Sequence, residues 1–396
     1  MLIKLANIIR ISYYKMKKMS EQATELTADK NGHIFDLIAG EIKEGNGFIP
    51  FERFMELALY HPQLGYYTKN IKRVGKDADF ITSVSVGKCY GLILAHHFAP
   101  ILKNFSNFSG EVVVVELGAE SGDLALDIMG GLSTLLSKNL FERLYYIIVE
   151  PFNLKREALR NRLNLEGIKN ISVISELKKE NNFHGVLIGN EVLDALPFRR
   201  VRLRGKNWIE LGVGIKTEEK KMKLIEVERC IQNQSLISRV VNFPKDLPDG
   251  FTAEVNLNFK NLLSGIHSSF VKLKGFFVDY GCSHYELMDI GRSEGTVRAY
   301  SGHKYVKDIL LSPGSNDITS NVDFDWFRAS AEKLGFIAHE PIDQYRFLTN
   351  AAEPWLLQIE KSGINNVENM KLINQFKTLI HPTIMGRAFK VLNFQK

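Results

Sequence analysis

The hydrophobic pattern is strongest in one run early in the second hundred residues. Residues 111–115 read EVVVV, and Glu116 closes the run. A run of β-branched apolar residues predicts a strand buried on both faces, as in a parallel sheet. Gly118 and Gly122 then bracket a tight turn, and residues 123–136 carry leucine and isoleucine at helical spacing. This order of strand, glycine turn and helix is typical of sites that bind nucleotide-like ligands.

Apolar runs and helical patterns alternate after this turn. Further strands are predicted at residues 144–149, 171–174, 185–188 and 275–279. Helices are predicted at residues 92–102, 153–163 and 324–334, and a closing edge strand at residues 388–394. Strands separated by helices predict an α/β fold with a doubly wound, mostly parallel sheet.

Two stretches interrupt this alternation. Residues 199–254 alternate apolar and polar side chains, which is typical of antiparallel strands, and residues 281–322 form a second excursion. Residues 32–59 predict two helices, interrupted at residues 45–50. We therefore divide the chain into a flexible leader (residues 1–28), a helical N-terminal cover with a cofactor loop (29–105), and a core (106–396) with two insertions, the first an antiparallel subdomain.

Composition and charge narrow the function classes. The 396 residues are 45% hydrophobic and 24% charged, which is ordinary for a globular protein with a full core. A net charge of +6 without a concentrated basic face in the body of the chain argues against a nucleic-acid partner. The three cysteines are far apart and predict neither a metal site nor a disulfide framework. No apolar run reaches membrane-spanning length.

The first twenty residues carry five basic side chains and no acidic one. Such a segment could be an organelle transit peptide. Because it has one arginine, and because Met16 and Met19 are alternative starts, a flexible leader is the first interpretation. We accordingly expect a cytoplasmic location, with the mitochondrial matrix as the alternative.

Acidic residues mark the ends of the first two predicted strands. Glu150 follows the second strand, where a carboxylate can accept hydrogen bonds from ribose hydroxyls, and the alternative is a solvated strand-end glutamate. Glu120 stands where dinucleotide-binding turns often have a middle glycine, and its charge would repel a pyrophosphate. These residues favour a ligand that lacks phosphates and carries a sulfonium cation, S-adenosylmethionine. Glu116 and Glu120 could contribute to a negative lining around it.

A second polar cluster, GNEVLDALPFRR, follows the predicted fourth strand. Asn190, Glu191 and Asp194 would emerge at the carboxyl edge of the sheet, where ligands bind in open α/β sheets. On a helix, Glu191 and Asp194 would share a face and could hold and polarise a cationic or amine nucleophile. The alternative is helix capping by Asn190, and Pro197 favours an exposed loop.

Polar residues of the second insertion could contact a substrate. Arg298, Tyr300 and His303 could bind a polypeptide or line the pocket. Asp317, Thr319 and Asp323 could be turn and cap residues, an interpretation that is strongest for Asp323, which precedes the predicted helix.

The chain resembles the MidA-like methyltransferases in several motifs, among them FMELALYHPQLGYYT, DFITSVSVGKCYG, VVELGAESGDLALDI, NEVLDALPFRRV and GTVRAYSGHKYVKDILLSPGSNDITSNVDF. The mitochondrial members of that family assist respiratory complex I assembly and methylate a protein arginine. The resemblance extends over about residues 34–391 and implies a class I, Rossmann-like methyltransferase fold. It implies cofactor binding by Glu116, Gly118, Gly122, Glu150, Thr82 and Ser83, and catalytic, substrate-side roles for Asn190, Glu191 and Asp194.

Two departures from that family stand out, because Glu120 and Ala78 occupy positions where the family favours glycine. We expect an S-adenosylmethionine-dependent methyltransferase that acts on a protein arginine and supports assembly of a respiratory complex. The alternatives are an assembly factor that keeps the fold without efficient methyl transfer, and methylation of a small molecule or RNA.

Overall fold

The protein is described by a computed structural model that covers residues 30–68, 82–108, 111–168, 170–219, 221–302, 304–363 and 366–396. The strands are β1 (Ile49–Pro50), β2 (Val112–Leu117), β3 (Leu144–Val149), β4 (Ile171–Ile174), β5 (Phe183–Asn190), β6 (Arg199–Arg204), β7 (Asn207–Glu218), β8 (Lys221–Cys230), β9 (Thr252–Val255), β10 (Phe270–Cys282), β11 (Arg298–Ser301), β12 (Lys304–Val306), β13 (Asp317–Thr319), β14 (Val322–Asp323), β15 (Ile337–Ala338), β16 (Ile342–Asp343) and β17 (Phe389–Gln395). The helices are α1 (Lys30–Glu44), α2 (Phe51–Tyr60), α3 (Cys89–Phe105), α4 (Asp123–Leu135), α5 (Lys138–Arg143), α6 (Asn153–Leu165), α7 (Gln234–Val240), α8 (Phe259–Ser269), α9 (His284–Leu287), α10 (Phe324–Glu332), α11 (Gln344–Ala351), α12 (Glu353–Ser362) and α13 (Val367–Ile380). Short 3₁₀ turns lie at Tyr66–Thr68, Lys179–Asn181 and Ile290–Arg292, and a π-helical turn lies at Pro382–Gly386.

One large sheet forms the centre of the fold. Its strands lie in the order β15, β17, β10, β5, β2, β3, β4, with β16 beside β17 and β14 beside the end of β10. Strands β2, β3, β4, β5 and β10 run parallel, and β17 is antiparallel to β10. The predicted mostly parallel α/β sheet is therefore confirmed. The prediction that β17 is an edge strand is wrong, because β15 and β16 pair with its outer side.

The central strand β2 is buried on both faces. Val112 and Val114 pack with helices α3 and α4 in one hydrophobic cluster. Val113 and Val115 face the other way and join helices α8 and α10 in a second cluster. Since side chains alternate between the faces of a strand, a strand covered by helices on both sides requires apolar residues at every position. The burial on both faces that EVVVV predicts is confirmed.

The N-terminal cover and the first insertion share a second sheet. Strands β6 to β9 form this antiparallel sheet, and β1 of the cover pairs with β7, where Ile49 lies opposite Val213. Helices α1 and α2 pack in a hydrophobic cluster that includes Phe54, Phe198 and Ile318. The antiparallel character predicted for the first insertion is confirmed. The second insertion holds the three-stranded antiparallel sheet β12–β11–β13.

Residues 335–387 contain elements that the hydrophobic pattern did not predict. Helices α11, α12 and α13 pack against α3, and Trp355 and Leu379 are buried in the cluster on one face of β2. Helices α12 and α13 also expose apolar side chains such as Leu357 and Met370, which weakens their amphipathic pattern. No helix in the described ranges is both long and apolar enough to cross a membrane.

Candidate functional site

A cavity of about 310 Å³ lies at the carboxyl ends of strands β2, β3, β5 and β10. The strand order reverses at β2, because β3 follows on one side and β5 on the other. Open α/β sheets bind ligands at such a switch point. Helix α2 and the turn at Tyr66–Thr68 line the cavity from the N-terminal cover, and strand β13 lines it from the second insertion.

Glu116 and Gly118 line the cavity at the end of β2. Glu116 is buried and accepts a hydrogen bond from the Tyr146 hydroxyl at 2.8 Å. Burial raises the pKa of Glu116 to about 7. Gly118 has φ = +67°, which favours glycine, and the nearest atom to a Cβ built there would be Val192 Cγ2 at 3.5 Å. Bare backbone therefore faces the cavity at this position.

Glu150 follows β3 directly. The residue is 3% exposed, and its Oε1 accepts a hydrogen bond from the Phe152 N–H at 2.9 Å. Burial raises the pKa of Glu150, and the nearby Lys155 ammonium counteracts part of that effect. The alternative of a solvated strand-end glutamate is therefore wrong. The buried carboxyl group lines the cavity and can accept the hydroxyl groups of a ribose.

Glu120 is paired with a cation in the cavity lining. Lys155 Nζ lies 2.7 Å from Glu120 Oε2 and 5.9 Å from the centroid of the Tyr67 ring. Glu120 has φ = +42°, a left-handed conformation that a glycine would adopt without strain. The Lys155 ammonium offsets the negative charge that would otherwise act on a ligand. The other departure from the family pattern, Ala78, lies outside the described residues.

Thr82 lines the cavity, whereas Ser83 and Gly122 do not. The Ser83 hydroxyl donates to Gln344 Oε1 at 2.9 Å, and both side chains are fully buried. The Ser83 backbone N–H lies near the Glu191 carboxyl group and favours its ionised form. Gly122 has φ = +83° at the N-cap of α4. The side chain of Ser83 and the glycine at 122 can therefore act on the site only through the conformation of their loops.

The segment after β5 is a turn and not a helix. Asn190 ends the strand, Glu191 has φ = +53°, and bends and turns follow. Asp279, fully buried near the end of β10, holds this turn through its Oδ2. That oxygen accepts the backbone N–H groups of Val192, Leu193 and Asp194 at 3.1, 2.8 and 3.2 Å. The helix capped by Asn190 is therefore wrong, and so is the exposed loop, because residues 193–198 are buried.

Glu191 and Asp194 nevertheless meet in the cavity. The Tyr280 hydroxyl donates to Asp194 Oδ2, and the buried Asp194 Oδ1 has no hydrogen-bond partner within the described ranges. Asn190 Nδ2 donates to Glu191 Oε1 at 3.1 Å, and the Tyr90 hydroxyl donates to Asn190 Oδ1 at 2.9 Å. Burial, together with the charge of Asp194, raises the pKa of Glu191 to about 8. A cation placed between the two carboxyl groups would relieve both their repulsion and the unmet hydrogen bond.

Acidic side chains dominate the cavity surface. Among the described residues that line it, eight are acidic: Glu56, Glu116, Glu120, Glu150, Glu176, Glu191, Asp194 and Asp317. The two lysine or arginine residues in the same lining are already paired, Arg53 with Glu41 and Glu56, and Lys155 with Glu120. Such a surface favours cationic ligands and opposes phosphates. In the described part of the chain, no group of three or more His, Cys, Asp or Glu side chains is arranged to hold a metal ion.

Several residues of the cavity were not predicted as site residues. The rings of Tyr60 and Phe152 stack with centroids 6.1 Å apart and both line the cavity. Asp317, interpreted from the sequence as a turn or cap residue, lies instead in strand β13, where it is buried and lines the cavity. Arg298 is exposed and does not line the cavity. His303 lies outside the described residues.

Similar proteins are found among known families and curated sequences. The family described as "Putative S-adenosyl-L-methionine-dependent methyltransferase" matches residues 93–342. The "Protein arginine methyltransferase NDUFAF7 homolog, mitochondrial" of Drosophila melanogaster is 25% identical, covering 96% of this chain and 89% of its own length. The "Protein arginine methyltransferase NDUFAF7, mitochondrial" of Danio rerio is 26% identical, covering 87% of this chain and 82% of its own length.

A solved structure is similar over nearly the whole fold. The crystal structure of a COG1565 superfamily member from Burkholderia thailandensis bound to S-adenosyl-homocysteine has a TM-score of 0.81 and 26% sequence identity, covering 94% of this chain and 95% of that chain. The two curated relatives described above are named as mitochondrial. These similarities therefore give no support to the cytoplasmic location that we expected.

Proposed function

The chain belongs to this family of S-adenosyl-L-methionine-dependent methyltransferases, and we propose that it methylates an arginine side chain of a protein. The enzyme class and the cofactor predicted from the sequence are confirmed by the family match and by the similar structure bound to S-adenosyl-homocysteine. The finer assignment of the substrate is supported by the curated relatives, which are named as protein arginine methyltransferases. The chemistry of the cavity supports it independently.

The observation that carries this proposal is the pair of carboxyl groups after β5. Glu191 and Asp194 line the cavity, and burial raises the pKa of each. A lysine ammonium must lose a proton before its nitrogen can attack a methyl group, and adjacent carboxylates would retain that proton. A guanidinium keeps a delocalised charge and offers five N–H donors in a plane that match carboxylate oxygens. A pocket rich in carboxylates therefore favours arginine over lysine.

The substrate-side residues act by position and by charge. Glu191 and Asp194 orient the guanidinium so that one nitrogen faces the methyl donor, and one of the two carboxylates accepts the proton released after transfer. Asn190 holds Glu191 through its amide, and Tyr280 holds Asp194 through its hydroxyl. The guanidinium charge in turn stabilises the two carboxylates in their ionised form.

The cofactor-side residues fit an adenosyl sulfonium. Glu150 would bind the ribose hydroxyls, while Glu116, Gly118 and Thr82 would line the remainder of the site. The Gly118 position leaves space for a ligand against backbone, and Glu116 adds to the acidic lining that a sulfonium favours. When bound, S-adenosyl-L-methionine supplies an electrophilic methyl group.

A mitochondrial location and a role in assembly of a respiratory complex form part of the proposal. Both curated relatives described above are named as mitochondrial. The resemblance to mitochondrial MidA-like methyltransferases supports the assembly role. A fluorescent fusion of the full chain, imaged beside a mitochondrial marker, tests the location, and exclusion from the marked organelle would contradict it.

The principal alternative is an assembly factor that has lost efficient methyl transfer. Glu120 motivated this alternative, but its pairing with Lys155 offsets the charge that would disturb a cofactor. Methylation of RNA is disfavoured because the acidic lining would repel phosphates. We therefore favour the active enzyme.

Labelled methyl transfer to a cell extract tests the proposed function. Purified protein is incubated with S-adenosyl-L-methionine carrying a tritiated methyl group and with extract from cells that lack the protein. Acid hydrolysis of the labelled acceptor should release methylarginine. Asp194→Asn should abolish the label, whereas Asp308→Asn, an exposed acid of the second insertion, should retain it.

Other outcomes would contradict the substrate assignment or the activity. Label recovered as methyl-lysine, or in nuclease-sensitive material, would contradict arginine methylation. Absence of any labelled acceptor from a protein that binds S-adenosyl-homocysteine would favour the inactive assembly factor.

A further inference from the structure

We infer that Asp317, supplied by the second insertion, binds the cationic group of the substrate together with Glu191 and Asp194. The inference rests on the proposed function, because it concerns the substrate end of the same cavity. The second insertion would then contribute to substrate specificity, while the core binds the cofactor.

Strand β13 turns Asp317 toward the core. Ile318 points into the hydrophobic cluster of the N-terminal cover. Because neighbouring residues of a strand face opposite sides, Asp317 and Thr319 share the other side. The Thr319 side chain lies near the Tyr280 hydroxyl and affects its pKa, and that hydroxyl donates to Asp194. Because side chains alternate along β13, Asp317 faces the turn that carries Asp194.

The N-terminal cover orients the Asp317 carboxyl group. Asp317 is 5% exposed, and its Oδ1 accepts the Tyr67 hydroxyl at 2.6 Å. Both residues line the cavity. The charge of Asp317 also contributes to the raised pKa of Glu191, which places the two acids within electrostatic reach of each other.

A separate observation points to a cationic ligand at this end of the cavity. Asp194 is only 5% exposed, and its Oδ1 has no hydrogen-bond partner within the described ranges. A buried carboxylate oxygen without a donor is unfavourable, and buried polar groups are normally satisfied by protein or ligand. Lys155 and Arg53, the cations of the cavity lining, are paired with other acids. The Asp194 carboxyl group also interacts with the Ala195 backbone N–H and with the Asp279 carboxyl group, but neither satisfies Oδ1. The missing donor therefore fits a group that enters with the substrate.

The arrangement selects the chemical class of that group. A guanidinium carries N–H donors on all its edges, so carboxylates from different directions can each accept one. Here Asp194 and Glu191 come from the core and Asp317 comes from the insertion. A compact ammonium has fewer donors and no planar edges to match. The substrate end is therefore suited to an arginine side chain.

Saturation-transfer NMR with Nα-acetyl-L-arginine amide, in the presence of S-adenosyl-homocysteine, tests the inference. Asp317→Asn should weaken binding of this probe roughly tenfold or more, because a hydrogen bond to a charged partner is lost. Asp308→Asn, which changes an exposed acid of the same insertion, should leave binding unchanged. The affinity for S-adenosyl-homocysteine, measured by calorimetry, should stay within about twofold in both variants, because Asp317 is not part of the proposed cofactor end.

Each contrary outcome has a definite meaning. Unchanged probe binding in Asp317→Asn overturns the inference, and so does a parallel loss of S-adenosyl-homocysteine affinity, which would show a structural role. If that variant does not fold, Tyr67→Phe should weaken probe binding severalfold, and no weakening overturns the inference. Probe binding that requires Asp317, in a protein that transfers no methyl group, supports the inference and contradicts the proposed function.

Discussion

Replacing Asp279 by alanine should release the turn that carries Glu191 and Asp194. The Asp279 Oδ2 accepts three backbone N–H groups of that turn, at 2.8 to 3.2 Å, and the residue is fully buried. Asp279→Ala would leave these donors without their acceptor. The turn also holds Glu191 at φ = +53°, a conformation that is unfavourable without support from its surroundings.

The magnitude follows from the number of donors. Asp279 Oδ1 also accepts the Tyr280 backbone N–H at 2.9 Å, so Asp279→Ala removes four hydrogen bonds in all. At about 1 kcal/mol for each lost hydrogen bond, Asp279→Ala should lower the free energy of unfolding by about 4 kcal/mol. For a chain of 396 residues this corresponds to a fall in Tm of roughly 5 °C. Methyl transfer should fall by roughly a hundredfold, because a displacement of about 1 Å in catalytic groups has an effect of that order.

Asp279→Asn is the matched control. Its amide oxygen can still accept the three N–H groups of the turn, whereas its amide nitrogen replaces Oδ1 and cannot accept the Tyr280 N–H. Burial, together with the charges of Asp194 and Glu191, raises the pKa of Asp279 well above its usual range, so a neutral amide is tolerated at this position. We expect a loss of stability of about 1 kcal/mol, from the Tyr280 N–H alone, and methyl transfer within tenfold of the unmodified protein. Thermal melts and the tritium assay measure both effects. Equal losses in the two variants, or an alanine variant as stable and active as the unmodified protein, would refute the role of the acceptor.

Three further predictions concern the pH dependence of stability, Glu120 in the turn after β2, and the contact between Gln344 and Ser83. Raising the pH from about 5 to about 9 should lower the Tm, because burial holds the pKa of Glu191 at about 8 in the folded chain against about 4.5 in the unfolded chain. The contribution of protonated Glu191 to the free energy of unfolding is complete below about pH 4.5 and is lost as the pH rises through about 8. In thermal melts, the Tm of Glu191→Gln should therefore fall less with rising pH than that of the unmodified protein. Glu120→Gly should change the affinity for S-adenosyl-homocysteine, measured by calorimetry, less than about threefold. Lys155 already offsets the charge of Glu120, and glycine adopts the same backbone conformation without strain. A larger gain in affinity would show that Glu120 impairs binding. Gln344→Leu should lower stability by about 1–3 kcal/mol in urea unfolding, because it leaves the buried Ser83 hydroxyl without its acceptor, and an unchanged midpoint would contradict this contact.

The sheet could be predicted from the sequence because its signal is local. An unbroken apolar run such as residues 112–115 is compatible with a strand covered on both faces, and the acids that follow such strands meet at one edge of the sheet. Glu116 and Glu150, as well as Glu191 and Asp194, were identified in this way and all line one cavity.

The conformation of the turn after β5 could not be predicted from the sequence. It depends on Asp279, which lies 87 positions after Val192 in the chain, and no local pattern encodes that contact. For the same reason the sequence did not show that Asp317 lines the cavity, because its partner Tyr67 lies 250 positions away. The position of Asp279 at the end of the predicted strand 275–279 was the one available signal for it.

Elements of the C-terminal quarter escaped prediction for a different reason. Strands β15 and β16 have two residues each, too few for a periodic pattern. They nevertheless pair with β17 and convert an expected edge into an internal strand.

Calorimetric titration with S-adenosyl-homocysteine tests the central claim most directly, namely that an adenosyl group binds at the ends of β2 and β3. The unmodified protein should bind, Glu150→Ala should bind at least about tenfold more weakly because ribose hydrogen bonds are lost, and Glu157→Ala, an exposed acid on α6, should bind as the unmodified protein does. Absence of binding to the unmodified protein, or equal affinity after loss of the Glu150 carboxylate, would contradict the account.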